Sequence, residues 1–307
     1  MNESSQSPVR RRLWRTGVTA LALLTCALAA GGMRPAHAAA ATTAGTSYYL
    51  ALGDSLSQGV QPTAAAPLFE TNRGYVDDLY AAERVTHPGL QLSKLGCPGE
   101  TTTTMIAGGI CPYAHGSQLA EAAAFLATHR VALVTIDIGA NDVDSCVAAS
   151  GIDSACIAAG FGSAASNLPV ILTTLRTAAP GVPIYAMNYY DPFLAAWLAG
   201  QQSLARESAC LTTGVGYGTF CGAPLPPTGF DGLLGTVYAA FGVPVADVAG
   251  AFQTNNFSPV LVVGPPVNVT LVCAWTWACS SFHNVHANDA GYAVIALTFE
   301  AAIESSE

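Results

Sequence analysis

Charge is what this 307-residue chain has least of: Asp, Glu, Lys and Arg together make up 10% of it, against about 25% in ordinary soluble domains. Positive charge is scarcer still. Five of the 11 Lys and Arg (Arg10, Arg11, Arg12, Arg15 and Arg34) precede residue 39, leaving six beyond it against nineteen acids. A segment of net charge near −13 repels phosphate backbones and anionic bilayers, so no nucleic-acid partner is expected. The apolar run at residues 18–30 is shorter than the about 20 residues that cross a bilayer, so no stable membrane span is expected. The cysteines lack the CxxC or clustered Cys/His spacing of a zinc site. Hydrophobic residues, by contrast, make up 51% and mean hydropathy is +0.39, which excludes intrinsic disorder and allows a large buried core.

Residues 1–38 have the form of an export signal. A basic stretch at Arg10–Arg15 precedes the apolar run, and Ala36-His37-Ala38 is a small-x-small cleavage site. Cleavage near Ala38 and secretion are expected, by a Sec or a twin-arginine route, leaving one domain over residues 39–307. Export sets the cysteine arithmetic. Without Cys26, eight cysteines remain for an oxidising compartment, and chain order pairs Cys97 with Cys111, Cys146 with Cys156, Cys210 with Cys221 and Cys273 with Cys279.

From residue 46, short runs rich in β-branched and aromatic residues alternate with longer Ala/Leu-rich stretches, as in a three-layer α/β domain around a parallel sheet. Strands are expected at 48–52, 90–95, 131–138, 183–188 and 243–248. Helices are expected at 74–84, 118–129, 164–179, 192–210, 230–241 and 288–303.

Four segments carry chemistry. The first strand runs into Gly53-Asp54-Ser55-Leu56-Ser57-Gln58-Gly59, which puts Ser55 past the carboxyl end of a strand, where open α/β sheets bind ligands. A serine on such a turn projects its Oγ into a cleft while its own N–H faces the oxyanion to be formed. The second strand ends at Leu95-Gly96-Cys97-Pro98-Gly99, and the third at Gly139-Ala140-Asn141-Asp142, where the Asn141 amide can donate without bearing charge. His286 precedes the last helix, in His283-Asn284-Val285-His286-Ala287-Asn288-Asp289-Ala290-Gly291-Tyr292. His283 and His286 lack the i, i+4 spacing and accompanying Glu of a zinc hydrolase, so neither metal nor cofactor is expected.

GDSLSQG, LGCPGETT, GAND and HANDAGY, in this order from Gly53 to Tyr292, resemble the four blocks of the GDSL-type, or SGNH, serine hydrolases. The resemblance is nearest to secreted actinobacterial esterases and lipases, which share a Cys-Trp-rich segment like Cys273 to Cys279. It implies a flavodoxin-like fold with a mostly parallel five-stranded sheet in a single domain, and a monomer acting on carboxylic esters, chiefly lipids or fatty acyl esters. Acetylated polysaccharide is the alternative substrate, and a catalytically impaired binding protein the alternative role. The resemblance makes Ser55 the nucleophile and His286 the base, with an oxyanion hole of Ser55 N–H, Gly96 N–H and the Asn141 side chain. The family places Asp three residues before the histidine, where this chain has His283. A main-chain carbonyl at 281–283 is the expected support of His286, with Asn284 and Asp289 as alternatives. Trp275 and Trp277 either line an acyl pocket or cap the core.

Overall fold

The computed structural model describes residues 45–64, 68–216, 219–220, 228–261 and 264–306. The expected export signal and Cys221 lie outside the described residues.

Runs such as Val131-Ala-Leu-Val-Thr-Ile-Asp137 suit strands covered on both faces. Five strands, β1 (Ser47–Gly53), β2 (Leu90–Lys94), β3 (Val131–Asp137), β4 (Ile184–Met187) and β5 (Val245–Ala246), form a sheet in the order β2-β1-β3-β4-β5. Every neighbouring pair is parallel. The expected sheet is therefore present, although its last strand is only two residues long. Leu50, Leu52, Val134 and Ile136 are fully buried in its middle, each such burial stabilising by about 1.5–3 kcal/mol.

The chain passes from β1 outward to β2 and returns across β1 to β3, so the strand order reverses between β1 and β3. Ligand clefts of open α/β sheets lie at the carboxyl ends of the strands at that reversal. Right-handed crossovers place the β1–β2 connection on one face and the later connections on the other. Accordingly α1 (Tyr75–Thr86) packs on the last helix, whose Phe299 stacks on Tyr75 at 4.9 Å, while α3 (Gln118–Thr128) packs on α4 (Ser154–Ala178). α2 (Thr102–Ala107) lies against α3 and α4.

Three departures from the expected helices have local causes. α4 begins at Ser154 rather than residue 164 because Asp153 caps it, accepting from the N–H groups of Ala155 and Cys156. The expected helix at 192–210 is two, a 3-10 helix at Pro192–Ala199 and α5 (Gln202–Thr213), separated by Gly200 in the left-handed conformation at φ 79°. Beyond α6 (Gly229–Ala240), the β-branched segment Val267–Trp275 forms α7 and not a strand, its Val269 and Val272 buried in the core. The last helix, α8, spans Asp289–Glu304.

Cys97–Cys111, Cys146–Cys156 and Cys273–Cys279 are disulfides. Cys210 is also disulfide-bonded, and its expected partner Cys221 is outside the described residues. Among the described residues α4 alone is long and apolar enough to cross a membrane, but its Ile157, Phe161, Leu168, Ile171, Leu172 and Leu175 are buried in the core.

Candidate active site

Ser55 sits in the turn that leaves β1 at the strand-order reversal. Two carboxyl groups hold this turn from beneath. Asp54 Oδ1 accepts the Leu56 N–H at 2.9 Å, and Asp137, at the end of β3, accepts the Ser57 N–H at 3.1 Å and the Tyr75 hydroxyl at 2.7 Å. Burial, then the charge of Asp54, pushes Asp137 well above the usual carboxylate range, and burial raises Asp54 as well. Both groups are buried and electrostatically coupled, so the charge of each disfavours ionisation of the other.

His286 reaches the turn from the far end of the chain. Its loop is closed by main-chain bonds from Trp277 N to His286 O at 3.0 Å and from Asn288 N to Trp275 O at 3.0 Å. The Tyr190 hydroxyl donates to Val285 O at 2.8 Å. Two further contacts tie this region to the serine turn. Gln61 Nε2 donates to Asp289 at 2.7 Å, and the Tyr292 hydroxyl donates to Val60 O at 2.8 Å. In this frame His286 Nε2 lies 2.8 Å from Ser55 Oγ.

The group that orients His286 is the side chain of Asn284. Asn284 Oδ1 accepts the main-chain N–H of His286 at 3.0 Å and lies 2.6 Å from His286 Nδ1. The main-chain N–H can only donate, so the Asn284 oxygen faces it. The same oxygen then requires a proton on Nδ1, leaving the Nε2 lone pair free for the Ser55 hydroxyl. This corrects the expectation of a main-chain carbonyl at 281–283. His283 is exposed, in a left-handed turn at φ 43°, and its N–H bonds Ser280 O. Asp289 is engaged with Gln61 and with Arg73 at 2.9 Å. Burial lowers the His286 pKa to about 4, and a neutral amide offers no charge to raise it.

A cavity of about 260 Å³ opens beside Ser55 and His286. Asn141 lines it from the short 3-10 turn after β3, its amide donating to Glu100 O at 3.0 Å and, more weakly, to Asp54 at 3.3 Å. Asp142 is scaffold: it accepts the N–H and the hydroxyl of Thr102, both at 2.8 Å, and so anchors α2. Gly99 also lines the cavity, whereas Gly96 does not. Gly96 packs against the serine turn so closely that a Cβ there would lie 1.8 Å from Ser57 Oγ, so its place between the two turns demands glycine. Gly96, expected as an oxyanion donor, is thus found packed against the serine turn and outside the cavity lining. Sequence reasoning passed over Gly99 because both glycines stand in the same short segment.

Of the two roles open to Trp275 and Trp277, the acyl pocket is not theirs, since neither lines the cavity. Trp275 packs edge-on against Phe252 at 5.0 Å, and Trp277 Nε1 donates to Gln61 at 3.2 Å. The apolar walls come instead from Leu56, Val143, Ile157, Phe161 and Phe230, contributed by the serine turn, the segment after β3, α4 and α6.

A family model described as the GDSL-like Lipase/Acylhydrolase family matches residues 51–294. Three solved structures are similar to the chain. A lipase from a goat rumen metagenome is 17% identical, with a TM-score of 0.49 over 84% of this chain and 97% of that one. The extracellular lipase of Streptomyces rimosus is 18% identical, with a TM-score of 0.47 over 84% and 100%. Phospholipase A1 of Streptomyces albidoflavus is 18% identical, with a TM-score of 0.43 over 84% and 99%. No curated protein sequence matches the chain.

Proposed function

The chain belongs to the GDSL-like lipase/acylhydrolase family, and on that premise we propose that it is a secreted serine hydrolase cleaving carboxylic esters through an acyl-enzyme on Ser55. The observation that carries the reading is the relay from Ser55 Oγ through His286 to Asn284, with contacts of 2.8 and 2.6 Å. His286 Nε2 takes the Ser55 proton as Oγ attacks the ester carbonyl, and the imidazolium then protonates the departing alkoxide. Water attacks the acyl-enzyme with the same histidine as base, restoring Ser55. The oxyanion is met by the N–H groups of Ser55 and Gly99 and by the Asn141 amide, which trades its 3.3 Å contact with Asp54 for a stronger one. No step calls for a metal.

The apolar cavity supports acyl chains longer than acetate. Disulfides, together with the basic and apolar pattern of residues 1–38, support export.

The decisive experiment is labelling of the mature protein with a fluorophosphonate, followed by peptide mass spectrometry. Stoichiometric label confined to Ser55, absent in Ser55→Ala, is the expected result. A folded, disulfide-intact sample that takes no label would sink the proposal.

The pH profile supplies a second check. The base must be neutral, and His286 is held near 4, so kcat/KM is expected to rise as pH increases through about 4 and to show no histidine limb between 6 and 7. The same depression destabilises the fold in acid. Between the unfolded value near 6.5 and the folded value near 4 the unfolded chain binds the extra proton, so the His286 contribution to stability is lost as pH falls through that window. An acid limb near 6.5 would show that His286 is not the buried base.

A further inference from the structure

Two acidic residues in the cavity wall have no part in the acyl transfer. Asp191 opens the 3-10 helix at Pro192 and is 1% exposed. Its Oδ1 accepts the Phe193 N–H at 2.9 Å, while its buried Oδ2 has no hydrogen-bond partner. The Ser208 hydroxyl, also in the wall, donates to Ala205 O. Asp144 stands just after the turn that bears Asn141, and its carboxyl takes no hydrogen bond from any described residue. Both line the cavity, and no Lys or Arg does. Burial pushes each up to about 7, and the charges of Asp54 and Asp191 add to the shift of Asp144. A carboxyl oxygen buried without a partner in an apolar wall costs stability; at Asp191 the Phe193 N–H, the Ser208 hydroxyl and the Leu194 N–H moderate that cost and leave Oδ2 unmet, while Asp144 is half-buried.

The rest of the wall suits a cation. Phe161, Tyr189, Tyr190, Phe193 and Phe230 all line the cavity, and the buried Tyr189 hydroxyl has no partner either. Aromatic faces attract positive charge most strongly when water is excluded. The acidic balance of the chain beyond residue 38 draws cations toward it.

We propose that the cavity receives an organic ammonium group, so that the preferred substrate is an ester carrying a positively charged nitrogen, which Asp144 and Asp191 neutralise and the aromatic rings enclose. This rests on the ester-hydrolase reading and names its substrate class. A plain alkyl chain leaves both carboxyls unmet, whereas an ammonium group supplies the charge they lack and C–H surface for the rings.

Two pairs of esters test it, one with the charge on the acid and one with it on the alcohol. The first is p-nitrophenyl trimethylammoniobutanoate beside its uncharged carbon isostere, and the second is butyrylcholine beside dimethylbutyl butyrate. In at least one pair the charged ester is expected to have the higher kcat/KM, by about tenfold or more, with the difference carried by KM. Asp144→Asn and Asp191→Asn should each raise KM for the charged ester and lower it for the isostere. Asparagine retains an oxygen for the Phe193 N–H, so Asp191→Asn keeps the cap, and thermal melting verifies the fold. Preference for the isostere in both pairs overturns the proposal, as does a preference for charge that both variants leave intact. Should Ser55 take no fluorophosphonate and no ester turn over, the hydrolase reading fails separately. Calorimetry with tetramethylammonium then decides the cavity alone: saturable binding lost in the double variant upholds the ammonium site, and absence of binding in the unaltered protein refutes it.

Discussion

Ser55→Ala is expected to lower kcat on p-nitrophenyl esters by at least about 100,000-fold, the scale on which serine hydrolases lose rate when the nucleophile is removed. The side chain does little else. Among the described residues its Oγ meets only His286 Nε2 at 2.8 Å and Asp54 at a weak 3.4 Å, and the turn is held by the main-chain N–H groups of Leu56 and Ser57. Melting temperature should therefore stay near that of the parent protein. The residual rate comes from the oxyanion donors, which the substitution spares. Steady-state kinetics on rigorously cleared preparations would decide it, and a loss of less than a hundredfold would mean that another residue attacks the ester.

Asn284→Ala is expected to lower kcat by about 100- to 1,000-fold with little change in KM, because it removes the acceptor that fixes both the tautomer and the aim of His286. The main-chain N–H of His286 loses its partner in the same stroke, so the loop loosens as well. Asn284→Asp discriminates between these effects. It keeps the acceptor and adds a negative charge beside Nδ1, so activity should survive at high pH while the acid limb moves up from about 4. His283→Ala, at an exposed position, should cost less than about threefold and serves as the neighbouring control. Full activity in Asn284→Ala would show that another group orients the imidazole.

The framework of this site is legible in the residues because it follows strand ends. Ser55 and Asn141 sit after β1 and β3, and a run of apolar residues before a small-residue turn declares such a position without knowledge of packing. What orients His286 is a contact made across one turn of chain. An Asn that accepts the N–H two residues on is a recognised local habit, yet it signals the turn and not that the same oxygen meets the imidazole. Gly96 and Gly99 differ only in what surrounds them: one is wedged beneath Ser57 and the other faces the cavity, a distinction made by folding. The two tryptophans stand beside the histidine in sequence but point into other contacts. α7 escaped for a related reason, since its valines report an affinity for burial as strongly as one for strands, and the core took them on a helix.

Ser55 and His286, the proposed nucleophile and base, lie 231 residues apart, one after the first strand and the other before the last helix. A chain cut before residue 286 keeps the segment that carries Ser55 and lacks the imidazole that faces it. The bonds from Gln61 to Asp289 and from Tyr292 to Val60 join the same two ends of the chain, across 228 and 232 positions. The two halves of the candidate site thus come from opposite ends of the fold, and only a chain that carries both can bring Ser55 and His286 together.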